Sequence, residues 1–268
     1  MPKKIDCITF FSENLMFEFR YNVLKNFIDY FVVCESIFDH KGNKKELNFK
    51  FKDYYDKNKI KYFVLEDSIK KENDPWKNQA IQREYLLNQL SFVNDEDYIF
   101  FSDPDEIPNP EILYNFDLNK KYGIFMQKCF NYKFNLFNPY ESPWEGTRVS
   151  KKKNLKSIDH MRQKILSKNL KYNFWRIDKE KNIELILNAG WHFNNIADPF
   201  YISKKLKTFA HSEFAKDRYS LVEIIEKKIN DKVDLFERGH KYKKVELDST
   251  FPKYLIENIA HYKDFILM

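Results

Sequence analysis

The sequence predicts an α/β fold in which helices flank a mostly parallel, Rossmann-type sheet, with a helical extension at the carboxyl terminus. Short apolar runs alternate with helical patterns through the first half of the chain, which is the rhythm of parallel βαβ units. The chain has 268 residues, of which 43% are hydrophobic and 18% aromatic. This composition can fill a sizeable core and excludes a disordered chain.

The elements of the first half follow from hydrophobic patterning. We predict strands where apolar residues run together and helices where they recur every three or four positions. The predicted strands are Ile5–Phe11, Tyr30–Glu35, Ile60–Leu65 and Tyr98–Phe101, and the predicted helices are Leu15–Asn26 and Trp76–Leu90. In such a fold, ligands gather beyond the carboxyl ends of the strands.

The second half has weaker patterns. The expected features are an aromatic, extended stretch at Tyr122–Phe137, a basic and irregular stretch at Arg148–Arg162, a strand at Ile183–Leu187, and helices at Pro199–Phe209 and Leu221–Asn230. No repeat, long linker or low-complexity stretch interrupts the chain. We therefore predict a single domain over residues 1–268, with 1–120 and 121–268 as its two halves.

The residues directly after the Tyr98–Phe101 strand carry the strongest chemical signal. Asp103, Asp105 and Glu106 follow the strand, and Pro104 and Pro108 stiffen the loop. Carboxylates clustered at the end of a buried strand repel one another, and their hard oxygen atoms suit Mg²⁺ or Mn²⁺, which are usually shared with substrate phosphates. The loop therefore indicates a metal and diphosphate site. A solvated acidic turn is the alternative.

Composition excludes several other kinds of site. Only 5 glycines occur, and no Gly-rich phosphate loop is present, which favours a metal as the neutraliser of any bound phosphate. The formal charge of +6, carried partly by short lysine clusters, fits an anionic substrate or a peripheral contact with anionic lipid. A lysine-rich surface without a specific partner explains it equally well. No basic helix or zinc spacing accompanies the charge, so nucleic acid is not an expected partner.

Cysteines and apolar runs bear on the compartment. Cys7, Cys34 and Cys129 are widely spaced and lie in apolar segments, which indicates buried, reduced thiols in a cytoplasmic protein. No apolar run reaches the 18 residues of a membrane span. We expect no transmembrane segment, and at most peripheral contact with the inner face of a membrane.

Two further residues are candidates for the site. Arg83 falls within the apolar stripe of the second predicted helix, where a buried guanidinium must find either a structural carboxylate or a substrate phosphate, unless it reaches solvent. His192 lies in a Gly-Trp-His-Phe motif at 190–193. It could complete a metal shell begun by Asp105, or it could be a hydrogen-bonded core histidine. Trp191 beside it could stack on a sugar or base.

Together these motifs resemble glycosyltransferase family 17, the family of the animal β-1,4-mannosyl-glycoprotein N-acetylglucosaminyltransferase. The resemblance runs from about Ile5 to Asn258. The matching segments, in order, are IDCITFFSE (5–13), DYFVVCES (29–36), QR (82–83), SDPDEIP (102–108), GWHF (190–193), SEF (212–214) and PKYL (252–255).

The resemblance implies a GT-A fold, a nucleotide-sugar donor, a divalent metal (Mn²⁺ or Mg²⁺), and inversion at the anomeric carbon. The donor is UDP-GlcNAc in the animal member. The residues expected to act are Asp103, Asp105 and His192 on the metal, and Phe10, Phe11, Glu35, Arg83, Asp103 and Trp191 on the donor. The acceptor would be a glycan or glycolipid. Because the Lys-, Asn- and Ile-rich composition suggests an AT-rich genome, we expect a bacterial or viral surface glycan.

An inverting transferase also needs a base for the acceptor hydroxyl. Glu213 is the first candidate, because it follows a helix whose apolar stripe (Ile202, Leu206, Phe209) would hold it near the core. Glu145 and Asp159 are the reserves.

The sequence departs from the family pattern at Pro104, Asn78 and Glu145, which leaves donor and acceptor open. The alternatives are a sugar-nucleotide nucleotidyltransferase and a non-catalytic carbohydrate- or metal-binding module.

Overall fold

The structure is a computed structural model that describes residues 1–66, 69–70, 74–208 and 216–268. Within these ranges the chain forms a mixed sheet of 11 strands. Helices cover both faces of the sheet, and further helices follow towards the carboxyl terminus. The predicted α/β class, with a mostly parallel amino-terminal sheet flanked by helices, is confirmed.

The strands and helices are numbered in chain order. The strands are β1 (Lys4–Phe10), β2 (Tyr30–Ser36), β3 (Ile60–Leu65), β4 (Tyr98–Ser102), β5 (Glu106–Pro108), β6 (Tyr122–Asn131), β7 (Leu136–Phe137), β8 (Trp144–Lys151), β9 (Ile183–Ile186), β10 (Gly190–Asn194) and β11 (Lys243–Lys244). The helices are α1 (Asn14–Leu24), α2 (Pro75–Asn88), α3 (Pro110–Tyr114), α4 (Ile158–Lys164), α5 (Pro199–Thr208), α6 (Asp217–Ser220), α7 (Val222–Asn230) and α8 (Lys253–Glu257). Short 3₁₀ turns cover Lys152–Asn154, Ser167–Lys171 and Lys263–Phe265.

The amino-terminal strands form a parallel sheet in the order β3-β2-β1-β4. Each of these strands lies within one or two residues of its predicted position. Since all four run in the same direction, their carboxyl ends meet at one edge of the sheet. The loops that follow β1, β2 and β4 therefore lie side by side, which is where the site is found.

Two apolar cores lie on opposite faces of the sheet, and β1 shows the alternation that produces them. Ile8 and Phe10 belong to the core that also holds α1 residues, whereas Ile5 and Cys7 belong to the core that holds residues of α2 and α4. Successive side chains of a strand point to opposite faces, so a strand covered on both sides is apolar throughout. The three cysteines are buried and free, as predicted.

The interpretation of 148–162 as irregular is wrong. Most of β8 lies in the sheet between β4 and β6, antiparallel to both, and α4 follows it. The pattern was hidden because the buried residues of β8 are largely polar. Arg148 is 2% exposed, and its guanidinium donates to the carbonyl oxygens of Glu145, Gly146 and Ile165. Hydrogen bonds satisfy the buried polar groups of this strand, so its sequence shows no hydrophobic periodicity.

The carboxy-terminal helices α5 and α7 form a smaller core of their own. Ile202 and Leu206 on α5 pack with Ile225 and Ile229 on α7. The predicted helical extension is confirmed for the residues described. In that same part of the chain, no helix is long and apolar enough to cross a membrane.

The acidic loop is tied to the second half of the chain by β5 and β10. These strands pair antiparallel, with Glu106 opposite His192, and the Phe193 amide donates to the Asp105 carbonyl at 2.8 Å. Gly190 allows this approach. Its φ is +134°, and a Cβ atom there would lie 2.1 Å from the Ile107 carbonyl oxygen. The motif at 190–193 therefore reaches the acidic loop through the backbone.

Candidate active site

A cavity of about 400 Å³ opens at the carboxyl edge of the parallel strands. The end of β1 and the loop after it contribute Phe10 and Phe11, and the loop after β4 contributes Asp103 and Asp105. Other walls come from the loop after β2, from α2, from β10 and from α5, through His40, Gln79, Gln82, His192 and Lys205. The topology thus gathers residues from distant parts of the sequence at the predicted edge of the sheet.

Asp103 is held by an arginine that sequence analysis did not single out. Arg162 Nη2 on α4 lies 2.6 Å from Asp103 Oδ2 and 2.8 Å from Glu106 Oε1. Burial acts to raise the pKa of Asp103, but Arg162 and then Arg83 lower it below its usual value. Glu106 is fully buried and also accepts from the Trp144 indole at 2.8 Å. Arg162 therefore links the acidic loop to α4.

Asp105 faces a different set of partners. His192 Nε2 lies 3.5 Å and Lys205 Nζ 3.9 Å from its carboxylate oxygens. Burial alone would raise the pKa of Asp105, but the charge and hydrogen bond of His192, with Lys205, bring it to about 2. In turn, burial would lower the pKa of His192, and Asp105 and Cys129 raise it well above 6.5. The pair is an ionic contact between the acidic loop and β10.

The donor set fits a divalent metal that is shared with a substrate. In the described ranges, no group of three or more His, Cys, Asp or Glu residues could hold a metal ion by itself. Two ionised carboxylates, Asp103 and Asp105, do face the cavity. Mg²⁺ is commonly bound by one or two carboxylates together with substrate phosphates and water, so a complete protein cage is not required. His192 is brought next to Asp105 as expected; its role as a metal ligand stays a prediction.

Three of the six predicted donor residues, Asp103 among them, line the cavity, and three do not. Phe10 and Phe11 contribute to the wall. Glu35 is fully buried. Its carboxylate accepts hydrogen bonds from Lys45 Nζ at 2.6 Å, from the Tyr62 hydroxyl at 2.9 Å, and from the amides of residues 48 and 49. These bonds hold the 45–49 segment against β2. The structure thus gives Glu35 a supporting role, and not the donor contact that we expected.

Trp191, the tryptophan expected at the site, and Trp144, for which sequence analysis predicted no role, lie in different cavities. Trp191 lies on the face of β10 opposite His192, where its indole donates to the Thr250 carbonyl at 3.1 Å and its ring stacks on Phe193. It lines a separate surface cavity and not the one that holds Asp103 and Asp105. Trp144 instead lines the acidic cavity and stacks on His192, with ring centroids 4.5 Å apart.

Arg83 is buried as predicted, and its partner is structural. The side chain is 3% exposed, and Nη1 donates to Asp159 at 3.0 Å. Neither residue lines the cavity. Trp76, the first residue of the predicted helix, is 44% exposed. The buried face of α2 is polar instead, and it consists of Asn78, Gln79, Gln82, Arg83 and Leu86.

The two candidate bases that the structure describes, Glu145 and Asp159, do not line the cavity. Glu145 accepts from the Ser167 amide at 3.1 Å, from the Ser167 hydroxyl and from Arg148, and it lies outside the cavity wall. Asp159 is occupied by Arg83. Glu213 lies outside the described residues. The structure therefore gives Glu145 and Asp159 structural partners in place of the predicted catalytic role.

The cavity residues that we did not predict share one property. Glu13, Glu141, Trp144, Lys205 and Arg238 all line it, and Arg162 supports it from behind. All of them are polar or aromatic residues to which sequence analysis gave no role. Of these, only Glu13 lay inside a motif that we used, as the residue closing the 5–13 segment. The others become visible only when the fold assembles them.

Comparison with known proteins assigns the chain to a family. The chain belongs to glycosyltransferase family 17, because the model of that family matches residues 1–267. It is therefore a glycosyltransferase, and the resemblance noted from the motifs is confirmed. This favours a transferase over a nucleotidyltransferase or a non-catalytic module. A search of curated proteins finds no match.

Solved structures offer only distant similarity. A 4-diphosphocytidyl-2C-methyl-D-erythritol synthase is 12% identical, covers 57% of this chain and 77% of its own, and has a TM-score of 0.36. A glycosyltransferase involved in the glycosylation of the major capsid of PBCV-1 is also 12% identical, with 69% and 81% covered and a TM-score of 0.31. An inositol-1-phosphate CTP transferase from T. maritima is 10% identical, with 100% and 98% covered and a TM-score of 0.29. Similarity at this level carries no argument about function.

Proposed function

We propose that the protein is an inverting, metal-dependent glycosyltransferase that moves a sugar from a nucleotide sugar to a hydroxyl of a glycan or glycolipid. The observation that carries this proposal is the position of Asp103 and Asp105. Both follow the buried strand β4 and face a cavity at the carboxyl edge of a parallel sheet. Membership of family 17 favours UDP-GlcNAc as the donor.

The acidic loop would bind the diphosphate of the donor. Asp103 and Asp105 would hold Mn²⁺ or Mg²⁺ against it, and the bound metal would neutralise the charge that builds up on the leaving nucleoside diphosphate. Lys205 and Arg238 also line the cavity and supply further positive charge for this anion. Arg162 and His192 keep the two carboxylates ionised and oriented before the donor arrives.

The nucleoside would lie near the ends of β1 and β2. Phe11 is partly exposed beside the His40 ring, with centroids 6.3 Å apart, and both line the cavity. Aromatic faces of this kind bind bases by stacking, with Gln79 and Gln82 available for polar contacts on the same side. The sugar would then point past the acidic loop towards α5.

The decisive experiment measures donor binding with and without metal. Isothermal titration of UDP-GlcNAc into the protein with Mn²⁺ should give saturable binding, and binding should weaken strongly when EDTA replaces the metal. UDP-glucose, GDP-mannose and CDP-glycerol form a comparison panel that reports the nucleotide and the sugar separately. Release of UDP on addition of acceptor glycans then reports transfer.

Two results would contradict the proposal. Equal binding of the donor with and without Mn²⁺ would remove the metal from the mechanism. Failure to bind any nucleotide sugar, together with binding of CTP or UTP and formation of a sugar nucleotide from a sugar phosphate, would make the protein a nucleotidyltransferase. The acceptor experiment should include bacterial surface polysaccharides and a glycolipid in vesicles, because the lysine-rich surface is compatible with either.

A further inference from the structure

A second, smaller cavity meets the first one at the acidic loop. It has a volume of about 280 Å³. Four residues line both cavities and so form the seam between them: Glu13, Asp105, Asn195 and Lys205. The seam therefore contains the second carboxylate of the acidic loop. Any sugar whose diphosphate is bound at Asp105 would have its reacting carbon near this junction.

The walls of the smaller cavity are mostly apolar, unlike those of the first. The apolar wall residues are Leu15, Met16, Phe193, Ile196, Ala197, Ile202 and Phe265. Polar groups outside the seam come from Ser12, Asn14, Asp198 and Tyr201, and the Tyr201 and Ser12 hydroxyls are 2.7 Å apart. A space with apolar walls and a few convergent polar groups is suited to a small organic ligand that offers one hydroxyl for reaction.

Glu13 is the carboxylate of the seam that has no basic partner. Its Oε2 atom accepts from the amides of Phe11 and Ser12, both at 2.9 Å. Among the described residues, no ion pair involves Glu13 and no hydrogen bond involves its Oε1 atom. Asp105, by contrast, is bound by His192 and Lys205. One oxygen of Glu13 is thus held in place, while the other stays available to a ligand.

We propose that the acceptor binds in the smaller cavity and that Glu13 is the catalytic base that takes the proton from its hydroxyl. This inference rests on the proposed transferase function. In the reaction, the acceptor oxygen forms a bond to the anomeric carbon as its proton passes to Glu13 Oε1. The bond from that carbon to the diphosphate oxygen breaks, and its electron pair leaves with the nucleoside diphosphate. Water then takes the proton from Glu13.

The position of Glu13 is compatible with this role. It is the residue before α1, and its neighbours in the loop after β1 line the donor cavity. A base must reach the acceptor without blocking the donor, and a residue on the boundary of both cavities can do so. Tyr201, whose pKa is raised by burial and by the charge of Glu13, lies on the acceptor side.

The test compares Glu13→Gln with two other substitutions. Gln keeps an oxygen that can accept from the Phe11 and Ser12 amides but removes the basicity, so kcat should fall by about 10²–10⁴-fold. The Kd of UDP-GlcNAc with Mn²⁺ and the circular dichroism spectrum should stay the same. Glu18→Gln, on α1 but outside both cavities, should keep kcat within about twofold. Glu13→Asp keeps a carboxylate but draws it back towards the backbone by one methylene. This variant should retain the acidic limb of the kcat/KM pH profile, and Glu13→Gln should lose it.

The outcomes separate this inference from the transferase function. If the wild type transfers sugar and Glu13→Gln keeps more than about a tenth of its kcat, Glu13 is not the base. Loss of turnover in Glu213→Gln combined with survival of Glu13→Gln would assign the role to Glu213 and overturn our proposal. If Glu13→Gln does not fold, loss of the acidic limb in Glu13→Asp overturns it instead. Absence of transfer by the wild type with every donor would overturn the transferase proposal itself.

Discussion

The guanidinium of Arg162 lies 2.6 Å from the carboxylate of Asp103, and this contact joins α4 to the acidic loop. The same guanidinium reaches Glu106, which is fully buried. An arginine can serve two carboxylates because its donors form a planar fork. The first carboxylate of the loop is therefore ionised and oriented by the protein alone, before a ligand binds.

Removing Arg162 should cost stability as well as activity. Arg162→Met leaves the buried Glu106 without its counter-ion, and we expect the free energy of unfolding to fall by about 3–5 kcal/mol. Urea unfolding measures this. Arg176→Met removes an arginine from an exposed pair with Asp178 and should leave the unfolding midpoint unchanged. Equal stability of the two variants would mean that Arg162 is not a structural link.

The carboxylate of Asp105 should be needed for metal-dependent donor binding. We expect Asp105→Asn to abolish turnover and the Mn²⁺-dependent part of UDP-GlcNAc binding, because an amide does not replace an ionised ligand. The melting temperature should fall modestly, since His192 loses its partner. Asp178→Asn is the matched control outside the cavity. Full turnover in Asp105→Asn would contradict the assignment of the acidic loop.

Arg83 and Asp159 should behave as a structural pair. Arg83→Lys keeps the charge but loses the guanidinium geometry, and Asp159→Asn removes the acceptor. We expect both to lower the free energy of unfolding by about 1 kcal/mol, because Asp159 is partly exposed. The Kd of the donor should change less than about twofold. A large loss of donor affinity with unchanged stability would instead place a phosphate on Arg83.

His40 gives a prediction for pH. Burial lowers the pKa of His40 from 6.5 to about 4, with smaller effects of Gln82, Arg83, Asp39 and Asp103. The unfolded chain therefore takes up this proton first as the pH falls. The stability that His40 contributes is complete above about pH 6.5 and is lost as the pH drops towards 4. Each unit of pKa shift corresponds to about 1.4 kcal/mol.

The measurement is urea unfolding of the wild type and His40→Gln at pH 7, 5.5 and 4.5. Other groups destabilise both proteins in acid, so the informative quantity is the difference between them. We expect the wild type to lose more stability than the variant between pH 6.5 and 4. Parallel curves would mean that the pKa of His40 is the same in the folded and the unfolded protein.

Sequence analysis predicted correctly the positions of those elements whose buried residues are apolar. Strands β1 to β4 are covered on both faces, so their apolar runs were visible, and the acidic loop was found because it directly follows one of them. The face of α2 that carries Gln82 and Arg83 is buried yet polar, and β8 buries Arg148 and Ser150. Hydrophobic periodicity contains no information about such positions, because side-chain and carbonyl partners satisfy them.

Site residues could be predicted only where charged or polar residues lie close together in the sequence. Asp103, Asp105 and His192 lie in short motifs, and the structure does bring them together. Trp144 and Arg162 stand alone in the sequence, and they reach the loop because β8 pairs with β4 and α4 packs against β8 and α2. The choice between Trp191 and Trp144 depends on which face of a strand points to the cavity. That follows from register, which one sequence does not reveal.

The place of β8 beside β4 also has a consequence for synthesis of the chain on the ribosome. β4 is complete when Ser102 has emerged, but its second neighbour ends only at Lys151. At typical elongation rates the interval is roughly 2–10 s. During that time one edge of the parallel sheet, apolar on both faces, has unpaired amides and carbonyls and can pair with another nascent chain. The speed of translation across residues 103–151 thus determines how long the unpaired edge of β4 in the nascent chain is available for aggregation.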